Sequence, residues 1–140
     1  MLKKPPPLFA VLGRIEKVSF VELLVYEADA KIDTGAYTST MHCHDMYIER
    51  IDNKKYLFFK LGENITEFST TAFKRLPVKN SFGDKEYRYK IKTTIQIGNK
   101  KFLTDVFLAD RKNMKVSILI GRKTLQTGKF LVDVSKKHNG

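Results

Sequence analysis

The sequence predicts an all-β domain, mainly strands with one short helix, closed as a small barrel or sandwich. Three observations predict it. Apolar and β-branched residues come in short runs rather than at helical spacing. Glycine-bearing turns separate those runs, and residues 87–97 alternate as a half-buried strand should.

Residues 8–11 read as a short apolar strand that Gly13 ends. Residues 15–25 read as a second, with Val18, Phe20, Leu24 and Val25 as candidate core positions. Residues 28–32 lead directly into Asp33. Residues 56–61 form a strand that Gly62, Glu63 and Asn64 turn into 65–71, a stretch rich in Thr and Phe. In 87–97, Tyr87, Tyr89, Ile91, Thr93, Ile95 and Ile97 share one face, and Arg88, Lys90, Lys92 and Gln96 share the other. Gly98-Asn99 then supplies a tight hairpin turn into 101–108. The run 116–120 is apolar apart from Ser117, which fits burial on both faces, and Gly121 ends it. Residues 122–126 suit one short helix stopped at Gly128, and 130–134 suit a last strand.

The 140 residues fit one domain, large enough for a modest core without disulfides. Residues 1–7 read as an extended lead-in, because three consecutive prolines make a poor signal peptide, and 135–140 as a flexible tail. No apolar run approaches the roughly 18 residues a membrane span needs. The single cysteine, Cys43, excludes an internal disulfide and fits a cytoplasmic protein. A net charge of +11, from 26 basic and 15 acidic residues, admits nucleic acid, an acidic substrate or an anionic surface as partner. The basic residues are spread along the chain, with no nucleic-acid-binding signature beside them.

The chemistry centres on Asp33-Thr34-Gly35-Ala36. Asp33 offers a carboxylate, Thr34 a hydroxyl that can bond across a symmetry axis, and Gly35 a backbone free to approach a neighbouring loop. A strand end of related interest, Ile118-Leu119-Ile120-Gly121-Arg122, follows far downstream.

With these two motifs the chain resembles a retropepsin-like aspartic peptidase. It is similar, more closely, to the bacterial family labelled ATP-dependent zinc proteases. The further motifs carrying that likeness are Thr38-Ser39, Met41-His42, Ser81-Phe82-Gly83 with Arg88, Asp110-Arg111-Lys112-Asn113-Met114 and Phe130-Leu131-Val132-Asp133. The resemblance implies an acid-protease-like closed barrel with one retropepsin-type lobe per chain. It implies catalysis by Asp33, Thr34 and Gly35, with the strand at Gly121 and Arg122 supporting the catalytic loop. Such catalysis needs two facing carboxylates, one taking a proton from water while the other, protonated, polarises the scissile carbonyl. This chain has one triplet, so the resemblance implies a homodimer. It also implies a flap with its tip near Asn80, Ser81, Phe82 and Gly83, substrate contacts from Ala36, Ser81, Phe82, Gly83, Ser117 and Leu119, and an inserted hairpin over 46–79. Retroviral relatives place an acid where Tyr37 stands, to pair with the arginine after the glycine, so Arg122 must find another acceptor.

The label's zinc and ATP find little support in the sequence. It has no His-Glu-x-x-His and no phosphate-cradling glycine loop. His42 and His44 would share one face of a strand, but no third ligand follows from spacing. The reading is therefore a peptide-cleaving enzyme without a cofactor. The alternatives are a non-catalytic basic module for an acidic peptide, ribosomal or nucleic-acid partner, and a zinc-dependent protease.

Overall fold

The computed structural model describes residues 10–62, 65–79, 82–110 and 117–138. The lead-in 1–7, Ser81 and most of the Asp110-to-Met114 motif lie outside them. In chain order the elements are β1 (Ala10–Leu12), β2 (Ile15–Phe20), β3 (Val25–Ile32), β4 (Ser39–Ile51), β5 (Lys54–Leu61), β6 (Glu67–Thr70), β7 (Phe73–Lys79), β8 (Lys85–Ile97), β9 (Lys100–Ala109), β10 (Ile118–Ile120), α1 (Arg122–Thr127) and β11 (Phe130–Val132). The fold is all-β with one short helix, as the sequence predicts.

Six strands close on themselves. The order runs β10-β3-β2-β8-β9-β4, and β10 pairs both with β3, in parallel, and with β4, antiparallel. Closure removes the free edges of these strands and turns alternate side chains into a common interior. Val18, Phe20, Ile95, Val106, Leu108 and Ile120 are fully buried there. Each such side chain contributes about 1.5–3 kcal/mol of apolar burial. All of β10 is buried, which explains its unbroken apolar run.

The outer half of β4 leaves the barrel and forms a three-stranded antiparallel layer with β5 and β6. Asp52 and Asn53 make the β4–β5 turn with φ of 50° and 67°, the paired left-handed geometry of a two-residue hairpin. β7 pairs with the first half of β8 as a second hairpin. Residues 46–79, expected as one inserted hairpin, hold outer β4, β5, β6 and β7.

Three expectations are corrected. The run 15–25 is two strands, since the chain reverses through a 3-10 turn at Val21–Leu23. Leu24, assigned to the core, has φ 56° and is 60% exposed at that reversal. Residues 135–138, the described part of the tail expected over 135–140, run beside the start of β2. Arg14 and Ile15 donate backbone hydrogen bonds to the Lys136 and Lys137 carbonyls at 2.9 and 2.8 Å. Val134, placed in the last strand, lies beyond β11 and is 70% exposed.

Candidate active site

Asp33 follows β3, and the next chain element to touch it is β10. The Asp33 N–H donates to the Ile120 carbonyl at 2.9 Å, continuing the parallel β3–β10 ladder into the loop. The loop then turns tightly. Ala36 N–H donates to the Asp33 carbonyl at 3.2 Å, and Gly35 N–H donates to Asp33 Oδ1 at 3.0 Å. A carboxylate oxygen is thereby aimed by its own loop. A Cβ at Gly35 would sit 3.2 Å from that oxygen, so the small residue keeps the approach open. Asp33 is half-buried, and Thr34 and Gly35 are exposed.

β10 and the start of α1 strap this loop from behind. Arg122 N–H donates to the Ala36 carbonyl at 2.8 Å, and Lys123 N–H to the Tyr37 carbonyl at 3.0 Å. The Arg122 Nη1 donates to the Thr34 carbonyl at 2.9 Å, and its guanidinium lies over the Tyr37 ring. Gly121 runs against the Thr38 backbone so closely that any Cβ would overlap it. The Gly121 N–H donates to Ser39 Oγ at 3.0 Å. Ser39 Oγ is 2.6 Å from Thr124 Oγ1, which is 2.7 Å from Thr104 Oγ1. All three hydroxyls are buried, so this network joins β4, β9 and α1 beneath the loop.

Among the residues read from sequence, Asp33, Thr34, Gly35, Ala36, Gly121 and Arg122 therefore come together. Leu119 lies one step away, buried between Lys31 and Thr40. Ser117 is exposed, and its carbonyl accepts from His42 N–H at 2.8 Å. Phe82 and Gly83 stand at the end of the β7–β8 hairpin, with Phe82 88% exposed and Gly83 at φ 85°. Sequence reasoning assigned no role to Thr38, Ser39, Thr104 or Thr124. Thr38-Ser39 was visible as a motif, but a hydroxyl chain between distant strands leaves no local signal.

The two histidines considered for zinc do share a face, with ring centroids 6.3 Å apart. His42 is buried with Nδ1 3.8 Å from Asp110, and His44 Nδ1 lies 3.4 Å from Asp45. Among the described residues no group of three His, Cys, Asp or Glu side chains is arranged to hold a metal ion. Burial pushes the neighbouring Cys43 thiol up to about 12. No helix of the described residues is long and apolar enough to cross a membrane.

A family model described as RimB-like, retropepsin-like aspartic endopeptidase RimB, matches residues 11–139. A protein of Shewanella pealeana named "Probable alpha-L-glutamate ligase" is 28% identical over 132 residues, covering 90% of this chain and 29% of that protein. A protein of the same name from Desulfotalea psychrophila is 27% identical over 121 residues, covering 82% of this chain and 26% of its own length. The chain thus spans under a third of the curated relatives it matches. A Legionella pneumophila protein of unknown function, Lpg0085, superposes with a TM-score of 0.75 over 93% of this chain and 97% of that one, at 23% identity. That likeness speaks to the fold.

Proposed function

The chain belongs to the RimB-like family of retropepsin-like aspartic endopeptidases, and from that premise we propose that it hydrolyses peptide bonds as a homodimer, with an acidic peptide as substrate. The observation that carries the proposal is the Asp33 carboxylate. Its own loop aims it, β10 and Arg122 brace it, and it is half-buried next to an exposed turn rather than sealed in the core. The sequence holds a single Asp-Thr-Gly, so the partner carboxylate comes from a second copy.

Two carboxylates about 3 Å apart cannot both ionise cheaply, so they share one proton. The ionised Asp33 takes a proton from a water placed between them. That water attacks the scissile carbonyl carbon while the protonated Asp33 donates to the carbonyl oxygen. Collapse of the tetrahedral intermediate breaks the C–N bond; the leaving nitrogen takes the proton held by the pair, and a hydroxyl of the intermediate returns one to the pair as the carboxyl product forms. Thr34 steadies the two loops against each other. The β7–β8 hairpin, with Phe82 near its end, serves as the flap over an extended substrate.

The acidic substrate follows from two supports. The chain carries a net charge of +11, which draws and holds carboxylates. Relatives that share this segment are named "Probable alpha-L-glutamate ligase", and glutamate is an acidic residue. The same two facts favour a second reading, a non-catalytic module that presents acidic peptides to another domain. A cytoplasmic setting suits the free, buried thiol of Cys43.

Incubation of glutamate-rich peptides with the protein and with Asp33→Asn, alongside sedimentation of both, tests the proposal. Cleavage should fall at least about a thousandfold in the variant while the dimer persists. Unchanged cleavage, or full activity in a monomer, would overturn it. Tight binding with no cleavage by the unmodified protein would favour the second reading.

A further inference from the structure

Lys74 on β7 stands directly across from Lys90 on β8. Like charges opposed on neighbouring antiparallel strands repel and weaken the pairing. Lys92, two residues on, projects from the same face, opposite Asp105 of β9. Among the described residues no carboxylate forms an ion pair with any of these three lysines. Asp105 is already committed, since Lys123 Nζ donates to its Oδ2 at 2.8 Å. Lys123, Lys90 and Lys92 all draw on this one carboxylate, and Lys74 adds a further positive charge across from Lys90. Between them opens a cavity of about 290 Å³ lined by Thr71, Phe73, Lys74, Lys90, Lys92 and Asp105.

The cluster is joined to the catalytic loop. Lys123 links the two, reaching Asp105 with its side chain and the Tyr37 carbonyl with its backbone N–H. We propose that Lys74, Lys90 and Lys92 form a carboxylate-binding subsite that holds a side chain of the acidic peptide, at a position remote from the scissile bond. This rests on the acidic-peptide reading above and adds the residues that select it. A bound carboxylate would also offset the Lys74–Lys90 repulsion.

The test is binding of fluorescent hexaglutamate and hexaglutamine to full-length Asp33→Asn protein, alone and with Lys90→Gln or with Lys74→Gln and Lys92→Gln together. Lys101→Gln, a charge loss elsewhere on the surface, is the control. Hexaglutamate affinity should fall about tenfold with Lys90→Gln and further with the double change. It should move under about twofold with the control, and hexaglutamine binding should not respond. Inorganic phosphate should displace hexaglutamate no better than sodium chloride of equal ionic strength. A loss no larger than the control's, or selective displacement by phosphate, would overturn the subsite; the latter would mark a small-anion site instead. Lys90→Gln should keep or raise Tm, because it removes a repulsion. Lysine-dependent binding without cleavage by the unmodified protein would leave the subsite standing and sink only the peptidase reading. Cleavage of glutamate peptides indifferent to Lys90 would do the reverse.

Discussion

Arg122 donates through Nη1 to the Thr34 carbonyl at 2.9 Å while its guanidinium stacks 5.7 Å from the Tyr37 ring centroid. A backbone carbonyl and an aromatic face thus replace the carboxylate partner that an arginine at this place otherwise calls for. The planar fork and weak hydration of guanidinium suit both contacts at once. The arginine fixes the middle residue of the triplet and so the direction in which Asp33 points.

Arg122→Met should lose both contacts while keeping much of the apolar stem. The bond is exposed, so stability should drop by only about 1 kcal/mol. Peptide cleavage should drop more steeply, since a loosened loop misplaces Asp33. Arg122→Lys keeps the charge but not the fork and should recover little activity. Denaturant unfolding beside steady-state cleavage separates the two effects. A loss of stability with wild-type kcat/KM would dismiss the positioning role.

Gly121→Ala tests the closest approach in the site. The added methyl would fall on the Thr38 backbone, and neither chain has room to withdraw without breaking the β10 pairings. A cost of at least about 1–3 kcal/mol follows, of the kind overpacking brings. The readout is the urea midpoint, and an unshifted midpoint would show that the strap is looser than its geometry.

How far the sequence discloses this arrangement depends on the range of the interactions. β8 was legible because Ile91, Thr93, Ile95 and Ile97 alternate against a buried face, and Gly98 at φ 58° closes its turn. The triplet and the Gly121-Arg122 strand end were legible as motifs. β4 was not read as a strand, because Ser39, Thr40, Met41, His42 and Cys43 are all buried between β9 and β10 and show no alternation. β7 was missed for the opposite reason, as its described side chains mix half-buried Phe73 and Leu76 with exposed Lys74, Arg75 and Pro77, and show no clean alternation. The split of 15–25 turned on Leu24, an apolar residue in a left-handed turn that favours glycine or asparagine. The acceptor for Arg122 could not be found among side chains, since it is a main-chain oxygen.

Thr124→Val should expose how much the buried hydroxyl chain contributes. Its Oγ1 links Ser39 to Thr104, and Ser39 Oγ also accepts from Gly121 N–H. A methyl of nearly the same shape leaves Ser39 and Thr104 with unmet hydrogen-bonding capacity in the interior. The expected loss is about 1–3 kcal/mol. Thr104→Val added to it should cost less than its single effect, because the two share one network. Simple additivity in the double-mutant cycle would argue against a connected chain.

Asp105 and Lys123 predict a specific pH dependence. The Lys123 hydrogen bond, aided by charge from Lys123, Lys90 and Lys92, holds the Asp105 carboxyl below its ordinary value. The same hydrogen bond to Asp105 raises Lys123. A carboxyl depressed in the folded state contributes stability above its unfolded value, about 3.9, and loses it as pH falls through the folded one. An amine raised in the folded state contributes below its unfolded value, about 10.4, and loses it as pH rises through the folded one. The stability gap between the parent and Asp105→Asn should therefore be flat from about pH 5 to 9 and shrink on both sides. Both groups are partly exposed, so the plateau should be small and should fall further in high salt. Urea midpoints of both proteins across that range measure it. A gap that widens toward acid pH would mean that Asp105 is destabilised as an anion in the folded chain, contrary to the pairing with Lys123.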